Sequence, residues 1–159
     1  MQPFYMLGNM DFKNAFIKSA ALCAQQERCC FDIEKKLKQW EVDKDIIEKV
    51  IEKLVEENFI DDNRFAGFYA RDKFRFNRWG KTKIAWHLRQ KQIAPVTIKA
   101  VLDMLNEGEY ENTLFLLLSE KARSLSGREP IKKKAALVRF AASRGFEFDE
   151  IMKTLDRLL

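Results

Sequence analysis

Apolar residues return every three or four positions along almost the whole chain. In residues 43–57, Ile46/Ile47, Val50/Ile51 and Leu54 fall on one helical face, and Glu48, Lys49, Glu52 and Lys53 on the other. The same face recurs as Ile98, Val101/Leu102 and Leu105 in residues 95–107, and as Ile151, Leu155 and Leu158/Leu159 in residues 148–159. Pro95 and Pro130 suit first-turn positions, where a missing N–H costs nothing. Asp43 and Asp61 suit N-caps, and Gly108 and Gly127 suit the residue just past a helix end. These signals predict helices over roughly 11–26, 30–40, 44–57, 62–76, 80–92, 95–106, 110–125, 130–144 and 148–158. Only the stretch from Phe74 to Trp79 approaches a two-residue alternation, and it reads as a helix end and a turn.

The core pattern repeats. A shift of 51 places Ile33, Leu37, Val42, Ile47, Val50, Ile51 and Leu54 on Ile84, Leu88, Ile93, Ile98, Val101, Leu102 and Leu105. A further shift of 53 carries Ile84, Leu88, Ile93, Ile98, Leu102 and Leu105 onto Leu137, Ala141, Phe146, Ile151, Leu155 and Leu158. Core positions match and exposed ones do not, as expected of a unit repeated for its packing. The expected fold is all-α: three tandem three-helix repeats in an elongated, curved helical array. The divisions are an N-terminal extension (1–10), then repeats over 11–60, 61–108 and 109–159. Within the second repeat, Ile84, Leu88, Val101, Leu102 and Leu105 should be core.

Composition narrows the class. An apolar fraction of 47% supports a packed core, and the 33% charged fraction is rich in helix-forming Lys, Glu and Arg. Residues 1–11 have no basic n-region and the most apolar run, Leu114 to Leu118, is far too short for a membrane span. Three cysteines, two of them adjacent, make a poor disulfide framework and favour a reducing compartment. A cytoplasmic protein without membrane contact is expected.

Enzymatic chemistry finds little to stand on. His87 is the single histidine, beside Trp86 in a short basic helix, and reads as a partly exposed surface residue. A zinc site would have to join Cys29 and Cys30 to distant Cys23 and His87, and C-x-x-C is absent, so no metal is expected. Asp61-Asp62 at a helix start is explained by capping and the helix dipole. The six glycines are scattered singly, so no phosphate loop exists and no cofactor is implied.

Charge is placed unevenly. Residues 61–107 hold ten basic and five acidic side chains, whereas residues 1–60 carry a net −2. From Arg71 to Lys91 there are eight cations and one acid, Asp72. Arg71, Lys73, Arg75, Arg78, Lys81, Lys83, Arg89 and Lys91 are interleaved with Phe74, Phe76, Trp79 and Trp86. Such a strip suits phosphates, stacked bases or an acidic protein groove. Arg75, Arg78, Lys81 and Lys83 lack charged counterparts in the first repeat, so they are expected to be surface contacts, replaceable by Glu with little loss of stability. A second run, Lys132-Lys133-Lys134, opens a helix against its dipole and is a further contact candidate.

The same residues carry a family resemblance. Phe59-Ile-Asp-Asp-Asn-Arg-Phe-Ala66, Tyr69-Ala-Arg71, Arg78-Trp-Gly-Lys-Thr-Lys-Ile84, Leu88 and Lys91-Gln-Ile93 resemble the central signature of the RecX family. Arg139-Phe140 and Arg144-Gly-Phe146 resemble its closing motif. The resemblance implies a monomeric, non-enzymatic inhibitor of the RecA recombinase, tied to recombination, DNA repair and the SOS response. It would bind in the groove of the RecA–DNA filament, limiting its growth, ATP hydrolysis and strand exchange. A free-standing nucleic-acid-binding protein is the alternative. Gln92 stands where the family usually has Gly, so the end of that helix is expected to differ locally.

Overall fold

The computed structural model describes residues 10–159, so all but Met10 of the N-terminal extension read at 1–10 lies outside the described residues. Nine helices occur among them: α1 Phe12–Gln25, α2 Cys30–Gln39, α3 Lys44–Glu56, α4 Asp62–Asn77, α5 Lys81–Gln90, α6 Pro95–Asp103, α7 Glu107–Ser124, α8 Pro130–Ser143 and α9 Phe148–Leu158. The chain divides into two compact units, one ending at Phe65 and the other beginning at Ala66.

In the first unit α1, α2 and α3 pack on one another. Ala15, Ile33, Leu37, Val42, Ile47, Val50, Leu54 and Ile60 form the buried centre, with Phe16, Leu22, Trp40, Ile51 and Phe59 packed against it. Each fully buried aliphatic side chain is worth about 1.5–3 kcal/mol relative to exposure. Asp11 caps α1 by accepting from the Asn14 N–H at 2.8 Å. Asp43 occupies the N-cap of α3 without a side-chain hydrogen bond to its own helix.

In the second unit α5 packs on α6, and α7, α8 and α9 pack on one another. Ile84, Leu88, Leu114, Leu118, Leu137, Ile151 and Leu155 are almost fully buried. The Tyr110 ring lies against Phe74 (5.6 Å between centroids) and Phe146 (5.1 Å), joining α4, α7 and the α8–α9 turn. Val101 is buried as the spacing predicts, but Leu102 and Leu105 are only half-buried. Helix α6 stops at Asp103 rather than near 106, so Leu105 lies beyond it and off its core face. Asn106 caps α7 by accepting from Glu109 N–H at 2.9 Å, so Gly108 lies inside the first turn of α7 instead of past the end of α6.

The repeat register reappears in the backbone. Glu41 after α2, Gln92 after α5 and Gly145 after α8 all have positive φ (59°, 60° and 96°), and they stand 51 and 53 residues apart. Each precedes an apolar residue whose N–H reaches back into the helix: Val42 to Leu37 O, Ile93 to Leu88 O, and Phe146 to Ala141 O, at 3.1–3.2 Å. The left-handed residues themselves bond Lys38 O, Arg89 O and Ala142 O. All three are the same left-handed helix stop, closed by a buried apolar residue. The local difference expected at Gln92 is therefore absent, because Gln adopts the conformation that Gly would take at lower cost.

Candidate nucleic-acid and partner interface

The basic block begins on α4. Arg71 and Arg75, four residues apart, are exposed, and Arg71 lies over the Phe68 ring at 5.1 Å. Lys73 is half-buried, 5.4 Å from the Tyr69 ring and 5.0 Å from the Trp79 ring. The helix stops where Arg78 takes φ 54°, and Arg78 pairs with Glu120 of α7 at 3.5 Å across an exposed surface. Such an exposed pair contributes at most about 1 kcal/mol.

That left-handed turn sets Trp79 beside α5. Its ring stacks on His87 (4.6 Å, 24° between planes), and Lys83 Nζ lies 4.7 Å from its centre. Trp86 meets His87 edge-on at 4.9 Å and is itself half exposed. Lys83, His87 and Lys91 stand at successive four-residue steps on α5 and its C-cap, so they share one face. Phe76 at the end of α4 is 81% exposed, an unusual position for a phenylalanine that has only packing to do. The result is a cluster of indoles and imidazole clothed in ammonium groups. Burial, then the charges of Lys83, Lys73 and Lys91, holds the His87 pKa below its ordinary value, which favours the neutral ring.

Another face of α5 serves packing. The Lys81 N–H donates to Tyr110 Oη at 2.9 Å, while the Tyr110 hydroxyl donates to the Glu147 carboxylate. Burial first, and then the bond to Glu147, raises the Tyr110 pKa. The Lys81 ammonium lies 4.9 Å over the Tyr110 ring. Gly80 N–H donates to Arg144 O (2.8 Å) and Thr82 N–H to Gly145 O (2.9 Å). A methyl on Gly80 would run into the Gly145 backbone, and one on Gly145 into that of Lys83. Two stretches that carried the family resemblance, Arg78 to Ile84 and Arg144 to Phe146, therefore meet backbone to backbone. A cleft of about 360 Å³ opens beside them, bordered by Lys81 and Arg89 of α5 and by Lys99, Leu102 and Asp103 of α6.

This geometry corrects part of the expectation from charge. Arg75 and Arg78 are exposed, but Lys81 and Lys83 are half-buried. Their backbones lie in the Gly80–Gly145 contact, so replacing both by Glu would disturb packing as well as charge. Lys132 and Lys134 are exposed and Lys133 is half-buried on the first turn of α8. Lys132 has a local partner in Glu129 at 4.0 Å. Sequence reasoning missed Tyr110 and Glu147, whose partners lie 29 and 37 residues away. It also missed the packing of His87 on Trp79 and Trp86, although its spacing from Lys83 was a usable signal.

The paired aspartates do cap helices, though not both the same one. Asp61 accepts from the Arg64 N–H (3.0 Å) at the start of α4, whereas Asp62 accepts from the Cys30 N–H (2.9 Å) at the start of α2. Tyr110 does for α5 what Asp62 does for α2, since both accept from the first N–H of a helix in the preceding repeat. Burial, followed by the Asp62 charge and hydrogen bond, pushes the Cys30 thiol up to about 12. All three cysteines are free thiols. No described helix is long and apolar enough to cross a membrane.

Comparison with known proteins gives one answer throughout. Residues 15–54 match the first three-helix domain of RecX, and residues 61–102 match the second. The regulatory protein RecX of Bacillus cytotoxicus is 27% identical over 153 residues, which cover 96% of this chain and 57% of that protein. That of Bacillus cereus is 28% identical over 154 residues, with the same two coverages. The chain thus spans 57% of the length of these curated relatives. In fold it is similar to the crystal structure of RecX from Lactobacillus salivarius, with a TM-score of 0.85 at 21% identity, covering 93% of this chain and 96% of that one. A second crystal structure, of a regulatory protein RecX, matches with a TM-score of 0.81 at 22% identity, covering 91% and 73%. With two domain matches and relatives aligned along nearly its whole length, the chain belongs to the RecX family of regulatory proteins.

Proposed function

We propose that this protein is a cytoplasmic, monomeric, non-enzymatic regulator of homologous recombination. It binds the RecA–DNA filament and limits the filament's growth, ATP hydrolysis and strand exchange. The observation that carries the reading is the cation–aromatic cluster of α4 and α5. Lys73 and Lys83 lie on Trp79, and exposed Arg71 and Arg75 flank them in a stretch with a single acid. A surface of that kind complements the negative charge of a protein–DNA filament. The non-enzymatic part is supported by what the nucleophile candidates are doing. The Cys30 thiol is pushed far above neutrality, and the His87 ring is packed between two indoles.

DNA-dependent ATP hydrolysis by RecA of the same organism tests the proposal. Addition of this protein at substoichiometric ratio should depress the rate, with no turnover by the protein alone. Full RecA activity at saturating protein would overturn it. The half-exposed Trp86 and the basic residues around Trp79 also favour a second reading, a free-standing nucleic-acid binder. That reading requires tight binding to bare DNA and a steep fall of affinity with salt, as counterions are released.

A further inference from the structure

His87 is central to the cation–aromatic cluster, yet none of the roles given so far needs a titratable ring there. An aromatic or aliphatic side chain would stack on Trp79 equally well. The charges that bear on it come from lysines, and the one acid of that stretch, Asp72, is exposed on α4. Lys73 reaches it from α4, and Lys83 and Lys91 from its own face of α5 and the C-cap. In the connecting turn Arg78 is already engaged by Glu120. The charged residues of α6, Lys99 and Asp103, pair with each other at 2.6 Å and border the separate cleft beside Lys81 and Arg89. A phosphate placed between Lys73 and Lys83 would bring negative charge beside the imidazole, and the half-exposed Trp86 would offer a face for a base.

We propose that the Trp79–His87–Trp86 cluster, with Lys73 and Lys83, is a binding site for single-stranded nucleic acid whose occupation is coupled to proton uptake by His87. This rests on reading the basic block as a contact surface, but not on any action on RecA. In the free protein, burial and three lysines disfavour the imidazolium. A bound phosphate neutralises part of that repulsion, so the ring takes up a proton on binding. By linkage the ligand then binds more tightly at lower pH.

The chain has one histidine, so its imidazole gives one Hε1 resonance in an NMR pH titration. The whole protein is titrated alone, with saturating oligothymidylate, and with poly-glutamate as a purely anionic control. Oligothymidylate should raise the His87 pKa by about half a unit or more, and should bind about threefold or more tightly below both pKa values than above them. His87→Gln should keep binding but lose that pH difference. The chain's terminal amine, which titrates in a neighbouring range, is the same in both proteins. An unmoved His87 pKa at saturating oligothymidylate, a shift with poly-glutamate only, or an equal pH dependence in His87→Gln would each overturn the proposal. If the variant does not fold, the titration of the unmodified protein decides alone. Because RecA is absent, failure of the filament reading leaves this experiment unaffected.

Discussion

The left-handed helix stops give a paired experiment in which the same backbone position changes sign. Gly145→Ala places a methyl at φ 96°, where an L residue costs about 1–2 kcal/mol. The methyl also lands on the Lys83 backbone, 2.6 Å from its nitrogen. Neither partner can swing away, since Thr82 N–H holds Gly145 O and the flanking Phe146 is buried. Overpacking of this kind costs about 1–3 kcal/mol, which makes the total about 2–5 kcal/mol. Gln92 occupies the equivalent stop after α5 at φ 60°, but its side chain is exposed. Gln92→Gly therefore removes about 1–2 kcal/mol of backbone strain and returns up to about 1 kcal/mol through the greater freedom of the unfolded chain. The net change should be a stabilisation of about 0–2 kcal/mol. Urea unfolding followed by circular dichroism reads both variants. If Gly145→Ala lies within about 0.5 kcal/mol of the parent protein, the close backbone contact does not hold the unit together as described.

Three further outcomes follow from the same contacts. Asp62→Asn should cost about 1 kcal/mol, since a neutral amide oxygen replaces a charged one as acceptor at the start of α2, and should speed alkylation of Cys30 at mildly alkaline pH as the Asp62 charge is lost; an unchanged labelling rate would contradict the assigned cause of the raised thiol pKa. Tyr110→Phe strands the Lys81 N–H and the Glu147 carboxylate, so a loss of about 1–3 kcal/mol is expected in thermal or urea unfolding. The folded phenol keeps its proton above pH 10 while the unfolded chain releases it, so parental stability should fall as pH rises past 10, and Tyr110→Phe should lose that part of the slope.

Helix positions were legible because each core face recurs at three- and four-residue spacing, and burial decides helix formation more than propensity does. The repeat register was legible for the same reason. Glu41, Gln92 and Gly145 then supply evidence in the backbone that no side-chain pattern contains, because only one of the three is the residue type that advertises a left-handed stop. The boundary between α6 and α7 was misread because a glycine was taken as a stop, whereas Asn106 caps the next helix. Charge located the basic block but could not sort it. Whether a lysine lies on an indole, as Lys83 does, or beside a backbone crossing, as Lys81 does, depends on residues such as Gly145 and Tyr110 far along the chain.

The central claim, that exposed cations of α4 and the adjoining aromatic cluster engage a RecA–DNA filament, is tested most directly by one binding comparison. Affinities for the assembled filament, free RecA and bare single-stranded DNA are measured at one ionic strength, for the parent chain and for Arg71→Glu/Arg75→Glu. Both arginines are exposed on α4, so the variant should fold normally. The account predicts that the parent binds the filament most tightly and that the double reversal weakens that binding by about tenfold or more. Equal filament affinity in the two proteins, or parental binding no tighter to the filament than to bare DNA, would contradict it.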